Sequence, residues 1–125
     1  MTTKTAVMST QEVADRLVRF FKENKWSEAQ EALFSEDAQS IEPPHAQGLQ
    51  TVRGLDNIRK KGEQFNAMVE EVHGGFAGEP IVAGNFIAVA MGMDVTLKGM
   101  GRKQMNEIAL YEVQNGKIVR EQFFY

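Results

Sequence analysis

Apolar residues recur along this chain with two different periods, and the change falls near residue 73. Before it they return every three or four residues, the spacing of one helix face. After it they return every second residue, the spacing of one strand face. Val13, Leu17, Phe20 and Phe21 form the first stripe and predict a helix starting at Ser9 or Thr10. Ser9 with Glu12 fits a capping box, in which each side chain satisfies the other's free backbone N–H. Asn24 and Lys25 close that helix. Ser27 predicts the cap of a short second helix burying Ala29, Ala32, Leu33 and Phe34, with Trp26 stapled against it. Ala38 to Glu42 reads as a strand stopped by Pro43-Pro44. The segment from Pro43 to Gly54 holds two prolines, two glycines and His45, and reads as a loop. A third helix follows, with Asp56 as cap and Ile58, Phe65, Met68 and Val69 buried. Strands are predicted over 71–82, 86–98, 103–113 and 117–125.

Helices first and strands afterwards make a segregated α+β fold. No repeat or linker divides the chain, so residues 1–125 read as a single domain, with 1–8 as a flexible tail.

Turn chemistry sets an expected register. Gln114-Asn115-Gly116 suits a three-residue hairpin loop with glycine left-handed, which places Ala109 opposite Glu121. A turn near Met100-Gly101 places Asp94 opposite Glu107. A turn at Gly84-Asn85 places Glu79 opposite Ala90 and Gly75 opposite Asp94. One face then carries His73, Asp94, Glu107, Ala109, Tyr111, Glu121, Phe123 and Tyr125. The other carries Phe76, Val82, Ile87, Val89, Met91, Met93, Val95, Ile108 and Leu110. A slip of one residue in any hairpin exchanges the two sets for that strand. Both faces are rich in apolar surface, which predicts that both are covered, one by the helices and one by a second copy of the chain. Pattern alone leaves open which face takes the helices.

Composition narrows the chemistry. The 125 residues contain no cysteine, which excludes disulfides and thiolate metal sites. A net charge of −3 supplies no basic field for nucleic acid or an anionic membrane. Arg59-Lys60-Lys61 reads as one solvated helix face. No apolar run is long enough to span a bilayer and no signal peptide is visible, so a cytoplasmic protein is expected. The histidines are far apart and no metal motif, phosphate-cradling loop or nucleophile motif occurs, so neither metal nor cofactor is expected.

The phrases LFSEDAQSIEP, VRGLDNIRKKGEQF, EPIVAGNFIAVAMGMDVTLKG and YEVQNGKIVREQFFY resemble the SnoaL-like branch of the nuclear transport factor 2-like superfamily. The resemblance runs over nearly the whole chain after residue 9. It implies a cone-shaped α+β roll, in which a strongly curved, largely antiparallel sheet wraps three N-terminal helices. A pocket usually opens into the cone, and dimers through the sheet are common. In ketosteroid isomerases and SnoaL-type cyclases of this fold, an acid or histidine on the penultimate strand points into the cone. The matching position here is Ala109. The resemblance therefore turns the face of Ala109, Glu107 and Asp94 toward the cavity, and also shows that the usual acid is missing there.

Asp94 and Glu107 are the expected acid–base pair: two crowded carboxylates do not both ionise easily away from water. Their alternative is an open sheet end, or pairing with Lys98, Arg102 or Lys103. His73 and Glu42 are supporting catalytic candidates, and His45 lies in a loop suited to a lid. Glu121, Tyr125, Tyr111, Trp26 and Phe65 are the candidate ligand-binding walls. Two functions fit this set. One is a proton-transfer enzyme for a small molecule (an isomerase, cyclase or hydrolase-like protein). The other is a non-catalytic dimeric binding or scaffold module for a small hydrophobic ligand.

Overall fold

A computed structural model describes residues 7–46 and 48–125; most of the expected tail, residues 1–6, and loop residue 47 lie outside the described residues. Ser9 caps α1 (Thr10–Lys22) through the reciprocal pair its sequence predicts. Its hydroxyl accepts from the Glu12 N–H, and its own N–H donates to the Glu12 carboxylate, both at 3.1 Å. α2 (Trp26–Leu33) starts two residues earlier than the Ser27 cap implies, with Lys25 at the cap and no side chain completing it. Trp26 consequently stacks back on Phe21 of α1, ring centroids 4.2 Å apart, rather than stapling α2. Phe34, expected in α2, is already extended and opens β1 (Phe34–Ile41). The proline-containing loop carries a two-residue strand, β2 (Val52–Arg53).

α3 (Leu55–Met68) is capped by Gly54 rather than by Asp56, which lies in its first turn. The Gly54 carbonyl accepts the first helical N–H, from Ile58, at 3.0 Å. Gly54 sits at φ +93°, a backbone that few other residues adopt. Then come β3 (Val69–Ala77), β4 (Ile81–Ala83), β5 (Phe86–Leu97), β6 (Gly101–Gln114) and β7 (Lys117–Phe124). The expected strand 71–82 is thus two strands. Pro80, which has no N–H to donate to a ladder, lies in the break.

The sheet runs β2-β1-β7-β6-β5-β3, with β4 also on β5. All pairs are antiparallel except β1 with β7. One face packs on the helices. Its core joins Val13, Leu17 and Phe21 of α1, Leu33 of α2 and Ile58 of α3 to Ile87, Val89, Ala109, Tyr111 and Ile118 of the sheet. This inner face is where the site must be sought. Among the described residues no helix lies on the outer face, which exposes Phe76, Ile108 and Phe124, each by about half (55%, 51% and 48%).

Registers differ from expectation in an instructive way. At the last hairpin, Asn115 and Gly116 both have positive φ and form a two-residue turn, so Gln114 faces Lys117. A bulge between Glu112 and Val113 then shifts the ladder once more, so Tyr111, not Ala109, lies opposite Glu121. Two single-residue shifts cancel in parity, and the expected faces of β6 and β7 survive. The preceding hairpin turns through Lys98-Gly99-Met100, with Leu97 opposite Gly101. That is an odd displacement of three residues. Met91 therefore faces Glu107, and Asp94 faces Gln104. Every residue of β5 stands on the face opposite to the expected one. Ile87, Val89, Met91 and Val95 are buried inside, and Asp94 points out.

Candidate functional site

The inner face gathers a cluster of ionisable groups where β1, β6, β7 and α3 meet. Glu42 follows β1 directly, and its N–H donates to the Thr51 hydroxyl at 3.0 Å, pinning the chain as it enters the proline loop. Ser40 lies opposite Glu121 across the parallel β1–β7 pair. Lys61 comes from α3, three residues after the buried Ile58 and hence on the same side of the helix. It is not part of a solvated face with Arg59 and Lys60. Its side chain is only 10% exposed and that of Glu42 only 5%.

Hydrogen bonds connect these groups in series. The Lys61 ammonium donates to Glu42 Oε2 at 2.8 Å and to Ser40 Oγ at 2.6 Å. Ser40 Oγ donates in turn to Glu121 Oε1 at 2.7 Å. Tyr125 donates its hydroxyl to the other oxygen of Glu42 at 2.7 Å. The Phe123 ring lies beneath Lys61, 5.5 Å from Nζ to the centroid. His45 meets the Tyr125 ring edge-on at 5.7 Å between centroids, on the solvent side of the chain of bonds. Glu107 stands next to Ala109 on the same face of β6 and is half-buried.

Three carboxyls thus gather around one buried ammonium, which bonds Glu42 directly and reaches Glu121 through Ser40. Burial is the largest influence on Glu107, and the charges of Glu42 and Glu121 add to it; Lys61 opposes them, and the carboxyl is pushed up to about 7. Burial likewise pushes Glu121 up to about 7, against the Ser40 hydrogen bond and Lys61. Tyr125 is also raised, first by desolvation of its hydroxyl end and then by its bond to Glu42. Tyr111 is raised by burial in the core. Two carboxyls that titrate near neutrality can take up or release a proton on demand.

The structure brings together Glu42, Glu107, Glu121, Tyr125 and, deeper in the core, Tyr111. It separates Asp94 and His73 from them. Asp94 accepts two bonds from the Arg102 guanidinium, at 3.0 and 2.8 Å, which hold its carboxyl below the usual range. His73 Nε2 lies 2.7 Å from Thr96 Oγ1, beside the same pair. Both belong to the outer face, because the β5–β6 turn is three residues out of the expected register. The sharpest expected pair, Asp94 with Glu107, therefore does not exist. Phe65 is half-buried on α3, and Trp26 lies at the surface against Phe21. Lys61 and Ser40 are members that the sequence reading missed. Ile58, Lys61 and Phe65 fall at helical spacing, and that periodicity was the available signal. An open cleft of about 270 Å³ between α1 and the β3–β4 connection, lined by residues including Asp15, Arg19, Glu79 and Pro80, holds none of these groups.

Comparison with known proteins places this architecture. The SnoaL-like domain family matches residues 8–125. A SnoaL-like polyketide cyclase candidate from Mesorhizobium loti is 33% identical, with a TM-score of 0.87 over 94% of this chain and all of that one. A nuclear transport factor 2-like protein of unknown function from Burkholderia pseudomallei superposes with a TM-score of 0.76 at 18% identity, over 94% of this chain and 92% of that one. A protein of ketosteroid isomerase-like fold from Catenulispora acidiphila, in complex with trimethylamine, does so with a TM-score of 0.66 at 18% identity, over 94% and 87%. No curated protein matches at a significant level. With the order of elements, the mixed sheet around three helices and the family match over residues 8–125 all in agreement, the chain has the nuclear transport factor 2-like fold and belongs to the SnoaL-like domain family.

Proposed function

We propose that this protein binds a small organic molecule against the inner face of its sheet and moves a proton on it. One observation carries the reading: Glu42, Glu107 and Glu121 converge on one wall around the buried Lys61 ammonium, where burial pushes the Glu107 and Glu121 carboxyls up to about 7. A group with a pKa close to the working pH is the most effective general acid or base. Below about 7 the Glu107 carboxyl donates; above it, the carboxylate accepts. The reaction class is proton transfer, as in an isomerase or cyclase step on a carbonyl compound. Methionines 91, 93 and 105 on the same face supply an adaptable apolar wall. Asp94 and His73 take no part.

The test is solvent exchange. The protein is held in deuterium oxide with small ketones, β-diketones and β-keto esters, and deuterium at the carbon next to the carbonyl is followed by NMR. The parent is expected to exchange at least one compound faster than buffer. Glu107→Gln should lose the excess by roughly 10²-fold or more, the usual worth of a general acid or base. A folded parent that never exceeds buffer across the panel ends the enzyme reading.

The outer face favours a second, compatible reading, a dimer through the sheet, because Phe76, Ile108 and Phe124 form exposed apolar surface there. A purely non-catalytic dimeric module would keep ligand affinity and dimerisation in Glu107→Gln.

A further inference from the structure

The three carboxyls of the cluster are not equivalent in their hydrogen bonding. Glu42 accepts from Lys61 and from Tyr125, one donor on each oxygen. Glu121 accepts from Ser40, whose own hydroxyl oxygen is held by Lys61. Among the described residues, no side chain donates to Glu107, which stands on the same wall without a partner. A carboxylate with donors on it is stabilised in its charged form; one without donors is governed by burial and by its neighbours' charges.

We propose that Lys61 and Ser40 are positioning residues that divide the labour of the cluster. Lys61 pairs with Glu42 and orients the Ser40 hydroxyl onto Glu121. That leaves Glu107 as the one carboxyl whose proton is exchanged with a bound molecule. Lys61 uses two of its three N–H groups in this task, and the Phe123 ring lies beneath it. Ser40 is fully buried, so its hydroxyl has no competing partner in water. This assignment rests on the proton-transfer reading for its purpose, but not for its test. The groups that face the cluster are Glu42 after β1, Lys61 on α3, Glu107 and Tyr111 on β6, Glu121 on β7, Tyr125 at the end of β7, and His45 above Tyr125.

The experiment is a pH titration of the glutamate side-chain carboxyl carbons in ¹³C-labelled protein, with no ligand present. Ser40→Ala removes the only described donor to Glu121. The Glu121 midpoint should rise by roughly one pH unit or more, while that of Glu107 should not rise and should fall slightly, because a Glu121 that stays neutral repels it less. Lys61→Met removes the charge that favours both carboxylates, and both midpoints should rise. Ser40→Ala moving the two midpoints equally, or moving neither, overturns the division of labour. So does a folded Lys61→Met in which both midpoints stay put. Should Lys61→Met fail to fold, Ser40→Ala decides alone, since it exchanges a buried hydroxyl for hydrogen without adding volume. Because the titration needs no substrate, absence of deuterium exchange and failure of this inference are separate results.

Discussion

Glu107 has a stability consequence as well as a chemical one. An ordinary glutamate titrates at 4.5, and Glu107 in the fold at about 7. Between those values the folded chain keeps a proton that the unfolded chain releases. The carboxyl therefore destabilises the fold increasingly as pH rises above 4.5, and the effect levels off past 7. Glu107→Gln abolishes this penalty. Its melting temperature should exceed the parent's, by more at pH 8 than at pH 5, with a gain at pH 8 on the order of 1–3 kcal/mol. Scanning calorimetry of the pair at both values checks it; a gain that does not depend on pH would place the carboxyl in water. Lys61 shows the opposite economy. Taking the ammonium away from a buried carboxylate leaves Glu42 without its charged partner, a change that costs about 3–5 kcal/mol in buried pairs. Lys61→Met should accordingly lower the urea midpoint far more than Lys60→Met, whose residue is exposed on the same helix. Equal effects would mean that the ion pair adds no more than a surface charge.

Hairpins decide which side chains meet, and the last one can be tested directly. Gly116 sits at φ +74°, and a Cβ there would lie 2.7 Å from Val7 Cγ1 and 3.1 Å from the Met8 backbone nitrogen. Gly116→Ala meets both an unfavourable backbone and a collision, and should cost on the order of 1–3 kcal/mol. Urea unfolding with an unchanged m-value would show it; a midpoint like the parent's would mean that the turn relaxes freely. The same hairpin explains what could be read beforehand. Asn115-Gly116 marked the turn, and the parity of β6 and β7 came out right although the loop length did not. The helices were legible from their stripes and from the Ser9–Glu12 capping pair. Asp94 was misplaced because nothing in Lys98-Gly99-Met100-Gly101 distinguishes a turn centred on residue 99 from one centred between 100 and 101, and an odd slip inverts a strand. Lys61 was hidden by its own charge: a lysine is rarely buried unless it is paired, and its partners lie 19 and 21 residues away in β1 and just beyond it.

At the scale of the molecule, the two faces of the sheet have different work. Helices fill the inner face and leave a polar chain from the buried Glu121 out to the half-exposed Tyr125. On the outer face, Ile108 lies opposite Phe124 on β7 and Ala90 on β5, while the Phe76 ring lies across Gly92. A side chain at 92 would strike that ring, so glycine there lets an aromatic residue spread flat on the sheet. An antiparallel face meant for water usually alternates to polar residues. Here Arg102–Asp94 and Arg120–Glu112 ion pairs flank an apolar middle, the arrangement of an interface core with a charged rim. A second copy placed by a two-fold axis would supply the same patch in return and cover both. Sedimentation of the parent should therefore show a dimer whose melting temperature rises with protein concentration. Ile108→Lys puts a charge at the centre of the patch; it should sediment as a folded monomer and lose that concentration dependence. Its carboxyl titration should match the parent's, since residue 108 points away from Glu107 and Glu121. A parent that sediments as a monomer at every concentration would leave the outer face uncovered and remove the dimer from this account.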